Sequence, residues 1–347
     1  MKKIILIMAV SFLLGFLVNR FLILQRSNVL SLKKIILNER PLLAYTFENL
    51  KKTKFPQNTF TLGKIISKTP EIISQMFYLD VPKKPNEDNI ATVSGIINLP
   101  KDPGTYPIII MFRGYVPEEI YQSGVGTQRV AEVLAQNKYI TLSPDFLGYG
   151  ESSPLSTDSF EARFQTYTTA LTLFSSLSTL NSTFEVGYSG LIKADLERIG
   201  IWAHSNGGQI ALSTLAISGL KYPTVLWAPV SKSFPYSILF YTDETEDRGK
   251  ALRKALSLFE NDYDTEHFSP EKYYKWIQAP LSVHQGSFDS EVPITWSDEL
   301  IVDLKKNDIE AEYIIYPGAD HNMLPLWSTV VKNSILFYEK NFIKKDE

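Results

Sequence analysis

The sequence predicts an α/β protein: a mostly parallel, doubly wound sheet with antiparallel strands on its N-terminal side and a small helical cap. Three observations carry that expectation. Short apolar runs that read as buried strands recur at Tyr106–Phe112, Tyr139–Pro144, Arg198–His204, Pro223–Pro229, Ala279–Gly286 and Ala311–Tyr316. The third run breaks sharply into Ser205-Asn206-Gly207-Gly208, the pattern of a strand-to-helix turn. Finally, Ser205, Asp289 and His321 each fall just past the carboxyl end of such a run, where an open α/β sheet builds its sites. With 347 residues, 44% of them hydrophobic, the chain can bury one such core and carry attachments.

At the N-terminus, Met1-Lys2-Lys3 precedes an apolar run from Ile4 to Val18 that resumes after Asn19-Arg20 as Phe21–Leu24. As one helix, Ile4 to Leu24 spans about 31 Å at 1.5 Å per residue, enough for a bilayer core. No small-x-small cleavage site follows. Residues 1–25 are therefore expected to be a transmembrane signal anchor, with secretion after cleavage as the alternative. The expected arrangement places the main domain outside the cytoplasm, although Lys2 and Lys3 are matched by Arg20, Arg26, Lys33 and Lys34 and do not fix orientation. Residues 26–74 form a juxtamembrane or packing segment, in which Arg40–Lys52 could be helical. The main domain is expected over residues 75–345.

Within that domain, Glu71–Leu79 and Ala91–Pro100 alternate as strands at an antiparallel edge do, with a turn at Val81–Asn89 between them. An insertion at about residues 230–278 sits between two predicted strands, a usual position for a cap. It carries the acidic cluster Asp243–Asp247 and the aromatics Phe234, Tyr236, Phe240, Tyr241, Tyr273, Tyr274 and Trp276. Two readings stand side by side: a lid whose aromatics line a pocket and whose acids attract a cationic group, or a solvated helical insertion whose aromatics pack on the core.

The chemistry concentrates at Ser205. A serine at the apex of a sharp strand-to-helix turn exposes its hydroxyl at the top of a sheet, and small residues two positions on either side relieve the crowding. Here they are Ala203 and Gly207, so alanine stands where glycine is commonest. Of four histidines, His204 adjoins the serine and should point away from it, His267 lies in a polar stretch, and His284 sits within a strand. His321, past a strand end, has the context of a general base. Asp289 is the acid that would fix its tautomer, with Asp320, which more plausibly caps its turn, and Glu291 as rivals.

These segments resemble the α/β-hydrolase fold and, within it, the catalytic domain of the prolyl-oligopeptidase-type serine peptidases. The resemblance rests on Asp195–Gly208, on His284-Gln-Gly286 through Asp289-x-x-Val292-Pro293, on Tyr316–His321 and on Tyr106–Tyr115. Tyr139–Ser153, with its Asp145-x-x-Gly148-x-Gly150-x-Ser152 turn, agrees, and Asp145 is expected to anchor that turn. The resemblance implies a Ser205–Asp289–His321 triad and an oxyanion hole formed by the backbone N–H groups of Tyr115 and Asn206. It implies a serine hydrolase that cleaves amide bonds of short peptides through an acyl-enzyme. A carboxylesterase is the alternative, because the same triad cleaves esters, and an inactive hydrolase-fold binding protein is a third reading. Arg113 replaces the family's histidine in the oxyanion turn.

Composition narrows the field further. A net charge of −3 without a basic block gives nucleic-acid binding nothing to rest on. The absence of cysteine excludes thiol catalysis and thiolate metal sites, and four scattered histidines without His-Glu-x-x-His make a catalytic zinc improbable. Gly148-x-Gly150 lacks the third glycine and the helix opening of a dinucleotide fingerprint. No cofactor is expected. The expected partners are a small peptide or ester substrate and, through residues 1–25, a membrane.

Overall fold

A computed structural model of the protein describes residues 40–242 and 245–343, and the chain divides into two units, Met1–Ala44 and Tyr45–Glu347. The second unit holds all nine strands. The expected signal anchor lies outside the described residues, as do Asp243 and Glu244 of the acidic cluster. Among the described residues no helix is long and apolar enough to cross a membrane.

In chain order the unit contains α1 (Phe47–Lys52), β1 (Thr61–Lys68), β2 (Ile72–Pro82), β3 (Ile90–Pro100) and β4 (Gly104–Phe112). Next come α2 (Gln128–Gln136), β5 (Ile140–Pro144), α3 (Ser159–Ser176), α4 (Leu180–Tyr188), β6 (Ile192–His204) and α5 (Asn206–Ser218). The remainder is β7 (Thr224–Trp227), α6 (Tyr236–Leu239), α7 (Lys250–Asp262), β8 (Leu281–Gly286), α8 (Ile294–Lys306), β9 (Ala311–Tyr316) and α9 (Trp327–Ile343). All six apolar runs and both alternating segments of the sequence are strands.

The nine strands form one sheet in the order β1-β2-β3-β5-β4-β6-β7-β8-β9. The first three and the β3–β5 pair are antiparallel, and the remaining pairs are parallel. β5, β7 and β8 are buried along their whole length and β4 from Ile108 to Phe112, as parallel strands covered by helices must be. On one face, Met111, Trp202 and Trp227 pack against Val130 and Leu134 of α2 and Val330, Phe337 and Tyr338 of α9. On the other, α3 and α5 pack together, and Phe112 meets Phe174 of α3 at 6.1 Å between ring centroids.

β1 is the strand the sequence left ambiguous. It is exposed along most of its length, carries Lys64 and Lys68, and pairs with β2 only on one side. Charged residues on such an edge discourage pairing with another chain. Of the Arg40–Lys52 stretch, Pro41–Tyr45 is a 3-10 helix and Phe47–Lys52 an α-helix whose buried face is Phe47 and Leu50.

Strand order positions the site. The chain leaves β4, crosses outward to β5, and returns through α3 and α4 to β6 on the opposite side of β4. Connections therefore diverge at the carboxyl ends of β4 and β6, and such a switch point opens a crevice there. The register pairs Phe112 with Ala203, so Arg113-Gly114-Tyr115 and His204-Ser205-Asn206 emerge side by side at its floor.

Candidate active site

Ser205 sits between the last residue of β6 and the first of α5 with φ 54° and ψ −122°. A non-glycine residue held there costs on the order of 1–3 kcal/mol, so its surroundings must impose it. They do so through the backbone: Ser205 N–H donates to Trp227 O at 2.9 Å, and Ser205 O accepts from Gly208 N at 2.9 Å and Val230 N at 3.0 Å. The small residues are required by crowding. A Cβ at Gly207 would lie 2.1 Å from Phe112 O, and one at Gly208 would lie 2.5 Å from Pro229 Cβ. Ala203, by contrast, is fully buried in the strand with its methyl accommodated.

Gly114 crosses directly beside this serine. A Cβ there would be 3.1 Å from Ser205 Cβ and 3.5 Å from His204 Nδ1. Tyr115 follows with its side chain largely in solvent. Asn206 opens α5, and with the Ser205 N–H engaged by Trp227, its own N–H is the next donor at a helix start, where the first amides lack intrahelical partners.

Asp289 and His321 are brought together from the loops after β8 and β9. His321 Nδ1 lies 2.9 Å from Asp289 Oδ2 and 3.1 Å from Oδ1. The Asp289 side chain is shielded from solvent and also accepts from Glu291 N and Val292 N, each at 2.9 Å, and from Gln285 Nε2 at 3.0 Å. Burial alone would raise its pKa. The hydrogen bond and charge of His321, with the two backbone amides, outweigh that and hold it below the usual value. The loops themselves are joined by Phe288 N donating to Ala319 O at 2.9 Å.

The rival acids have other tasks. Asp320 Oδ1 accepts from Asn322 N and Leu324 N at 2.9 and 2.8 Å and so caps the turn that presents His321. Glu291 has its side chain in solvent, 3.3 Å from Ser290 Oγ. Asp145, as expected, anchors its turn: it accepts from Ser94, Ser123 and Tyr121 at 2.6, 2.6 and 2.7 Å.

Two contributors escaped sequence reasoning. His204 reaches His321: its Nε2 is 3.0 Å from His321 O and the two rings lie 4.6 Å apart. Burial, then the proximity of His321, lowers its pKa to about 4, so it is a neutral brace near neutral pH. Gln285 is fully buried in β8, donates to Asp289, and accepts from Ser297 Oγ at 2.7 Å. A buried amide in a strand must find partners, and that was the available signal. His284 is structural, hydrogen-bonded to Ser282 Oγ at 3.0 Å and Tyr316 OH at 2.8 Å, with burial lowering its pKa to about 3. His267 is on the surface, 3.5 Å from Glu48.

The cap divides between the two readings. Phe234, Tyr273 and Tyr274 are buried, and Phe234 packs on Phe160 and Phe164 of α3. Tyr236, Phe240 and Tyr241 instead gather around Trp296, and Tyr241 OH donates to Glu291 O at 3.2 Å beside the acid loop. Asp247 caps α7 by accepting from Gly249 N and Ala251 N. Glu118 and Glu119 open an exposed single turn. Among the described residues no group of His, Cys, Asp and Glu could hold a metal ion.

The molecule is a serine hydrolase with the α/β-hydrolase fold. The resemblance read from its motifs is borne out by a match of residues 190–342 to the Prolyl oligopeptidase family, a stretch that runs from β6 into the last turn of α9. An acetyl xylan esterase from Paenibacillus sp. R4 superposes with a TM-score of 0.59 at 15% identity, covering 85% of this chain and 92% of its own. Acetyl xylan esterase 1 from Thermoanaerobacterium sp. JW/SL YS485 gives 0.53 at 15% identity, with 85% and 91% covered. The rice cell wall degrading esterase LipA from Xanthomonas oryzae gives 0.53 at 14% identity, with 83% and 98% covered. At these identities the likeness is one of fold. No curated protein matches the chain in sequence.

Proposed function

We propose that the protein is a peptidase of the prolyl-oligopeptidase type, cleaving amide bonds of short peptides, with Ser205, His321 and Asp289 as its catalytic residues. The observation that carries this reading is the Asp289–His321 pair at 2.9 Å at the same sheet edge as a serine in a strained elbow. Ser205 Oγ attacks the carbonyl carbon while His321 Nε2, the ring nitrogen not engaged by Asp289, takes its proton. The C–N bond then breaks as that proton passes to the departing amine. Water, deprotonated by the same imidazole, attacks the acyl-serine ester, releasing the acid and restoring the hydroxyl. Tyr115 N–H and Asn206 N–H stabilise the negative oxygen of each tetrahedral intermediate.

A carboxylesterase is the second reading. It is favoured by the apolar side chains on the loops that bear these residues: Tyr115 is 73% exposed, Phe288 76% and Leu324 45%. Such a rim suits an apolar acyl or alcohol group. The deciding experiment compares the full chain with Ser205→Ala on short acyl nitrophenyl esters and on aminoacyl and dipeptidyl anilides. Anilide turnover abolished in the variant supports the peptidase. Turnover of esters alone moves the protein to the esterases, and turnover that survives Ser205→Ala removes Ser205 from the mechanism.

Residues 1–25 are proposed as a membrane anchor, with the hydrolase domain outside the cytoplasm; the boundary expected at residue 75 falls inside β2, so β1 and the start of β2 belong to that domain's sheet rather than to a separate adjoining segment. The support for the anchor is the apolar run from Ile4 to Leu24. Retention in membranes after alkaline extraction, with the hydrolase domain open to external protease, is the expected result. Release into the soluble fraction would contradict it.

A further inference from the structure

A buried guanidinium normally faces a carboxylate, because an unpaired charge removed from water is destabilising. Arg113 does something else. It is 6% exposed, and its hydrogen bonds run to two main-chain carbonyls, Nη1 to Gly114 O at 2.9 Å and Nη2 to Asp145 O at 3.2 Å. The neighbouring Asp145 carboxylate is occupied by the hydroxyls of Ser94, Tyr121 and Ser123. The guanidinium also lies against two rings, 4.4 Å from the centroid of Tyr121 and 4.0 Å from that of Tyr149, which meet each other edge to face at 5.0 Å. Its Nε is buried with no partner among the described residues. Two carbonyls and two rings therefore fix this plane in place and orientation.

We propose that Arg113 is a positioning residue for the oxyanion-stabilising N–H of Tyr115, acting through the Gly114–Tyr115 peptide and resting on the reading of the site given above. In a trans peptide the C=O of one residue and the N–H of the next point in opposite directions within one plane. Holding Gly114 O on Arg113 therefore sets the direction of Tyr115 N–H. The hold matters because glycine leaves this peptide freer to rotate than any other residue would. A side chain here would crowd the nucleophile: a Cβ at Gly114 would approach Ser205 Cβ to 3.1 Å. Arg113 thus supplies from the side a restraint that a side chain at position 114 would supply only by crowding Ser205.

The test uses the full chain, with Arg113→Met, Arg113→Lys and Ser205→Ala, a short acyl nitrophenyl ester as substrate, and two inhibitors. One is a trifluoromethyl ketone, which adds to the serine and generates an oxyanion; the other is the matching alcohol, which does not. Arg113→Met is expected to lower kcat roughly 10- to 100-fold with little change in KM, a fraction of the loss on removing a donor outright. Affinity for the ketone should fall in step with kcat, while affinity for the alcohol holds. Arg113→Lys should recover part of the loss, since an ammonium can reach Gly114 O but cannot bridge both carbonyls. Unchanged kcat, or equal weakening of both inhibitors, overturns the proposal. Should Arg113→Met not fold, Tyr149→Leu strips one ring and is expected to give the same kcat-specific loss at smaller size; unchanged kcat there overturns it equally. Wild-type turnover by Ser205→Ala would overturn the reading of the site, and this proposal with it.

Discussion

The Ser205 side of the site, at the ends of β4 and β6, is held by backbone crowding, whereas the Asp289–His321 side, at the ends of β8 and β9, is held by side-chain hydrogen bonds. At the first, Ser205 keeps a positive φ because Trp227, Gly208 and Val230 grip its peptide groups and because Gly207 leaves no gap beneath Phe112 O. At the second, Asp289 alone gathers four donors, from His321, Gln285, Glu291 and Val292. The difference teaches where each side is fragile. Crowding fails when an atom is added, and a hydrogen-bonded cluster fails when one is removed.

If the proposed roles hold, removing the charge of Asp289 has the largest effect. Asp289→Asn is expected to reduce kcat about 10⁴-fold, because the amide favours the wrong imidazole tautomer. The same variant tests stability. A carboxyl whose folded pKa lies below its unfolded value of about 4 stabilises the fold fully above that value and loses the contribution as pH falls through the lower one. The acid limb of Tm against pH should therefore be flatter in Asp289→Asn, and an unaltered limb would deny the carboxylate this role.

Adding an atom on the Ser205 side comes next. Gly207→Ala, with its methyl carbon driven toward Phe112 O and Arg113 O, is expected to destabilise the fold by about 3 kcal/mol. Chemical denaturation reads this directly, and a loss under 1 kcal/mol would show that the elbow yields. Gln285→Ala should cost about 1–2 kcal/mol by leaving Ser297 and Asp289 short of a partner. Its kcat should fall more than its KM rises. Equal changes in both would put Gln285 outside the acid's support.

The smallest effect separates two buried histidines from His321. His204 and His284 have folded pKa values lowered by burial to about 4 and about 3, against about 6.5 unfolded. Each therefore stabilises the neutral-pH protein and withdraws that contribution as pH falls from 6.5 toward its folded value. His284→Asn should lessen the loss of Tm between pH 6.5 and 4 by a few degrees, whatever it does to the absolute Tm. A slope identical to wild type would mean that His284 is already protonated when folded.

The comparison also explains what the sequence revealed. Crowding demands glycine and alanine at fixed offsets from Ser205, so the elbow was readable, and with few histidines only His321 followed a strand end. The apolar runs of β4 to β8 were legible because parallel strands buried on both faces cannot hide their composition, and half-buried β9 at the far edge still kept an apolar run. β1 was not, since an exposed edge strand with Gly63, Lys64 and Lys68 lacks a repeating apolar face. Nor were the roles of His204 and Gln285. Each depends on a loop more than a hundred residues away or on a neighbour across a turn, and no local pattern encodes which way a buried polar side chain reaches.

The order of the strands bears on how the working protein comes into being. Tyr115 and Ser205 follow the adjacent strands β4 and β6, and Asp289 and His321 follow the adjacent strands β8 and β9, with β7 between the two pairs and long stretches of chain between successive members. Such non-local pairing is slow to form, because each loop must close before its contacts reward it. Helices and the N-terminal meander can therefore return early during refolding from denaturant, while turnover returns only once β8 and β9 have docked on β7. Enzymatic activity is in this sense a clock for the last events of assembly.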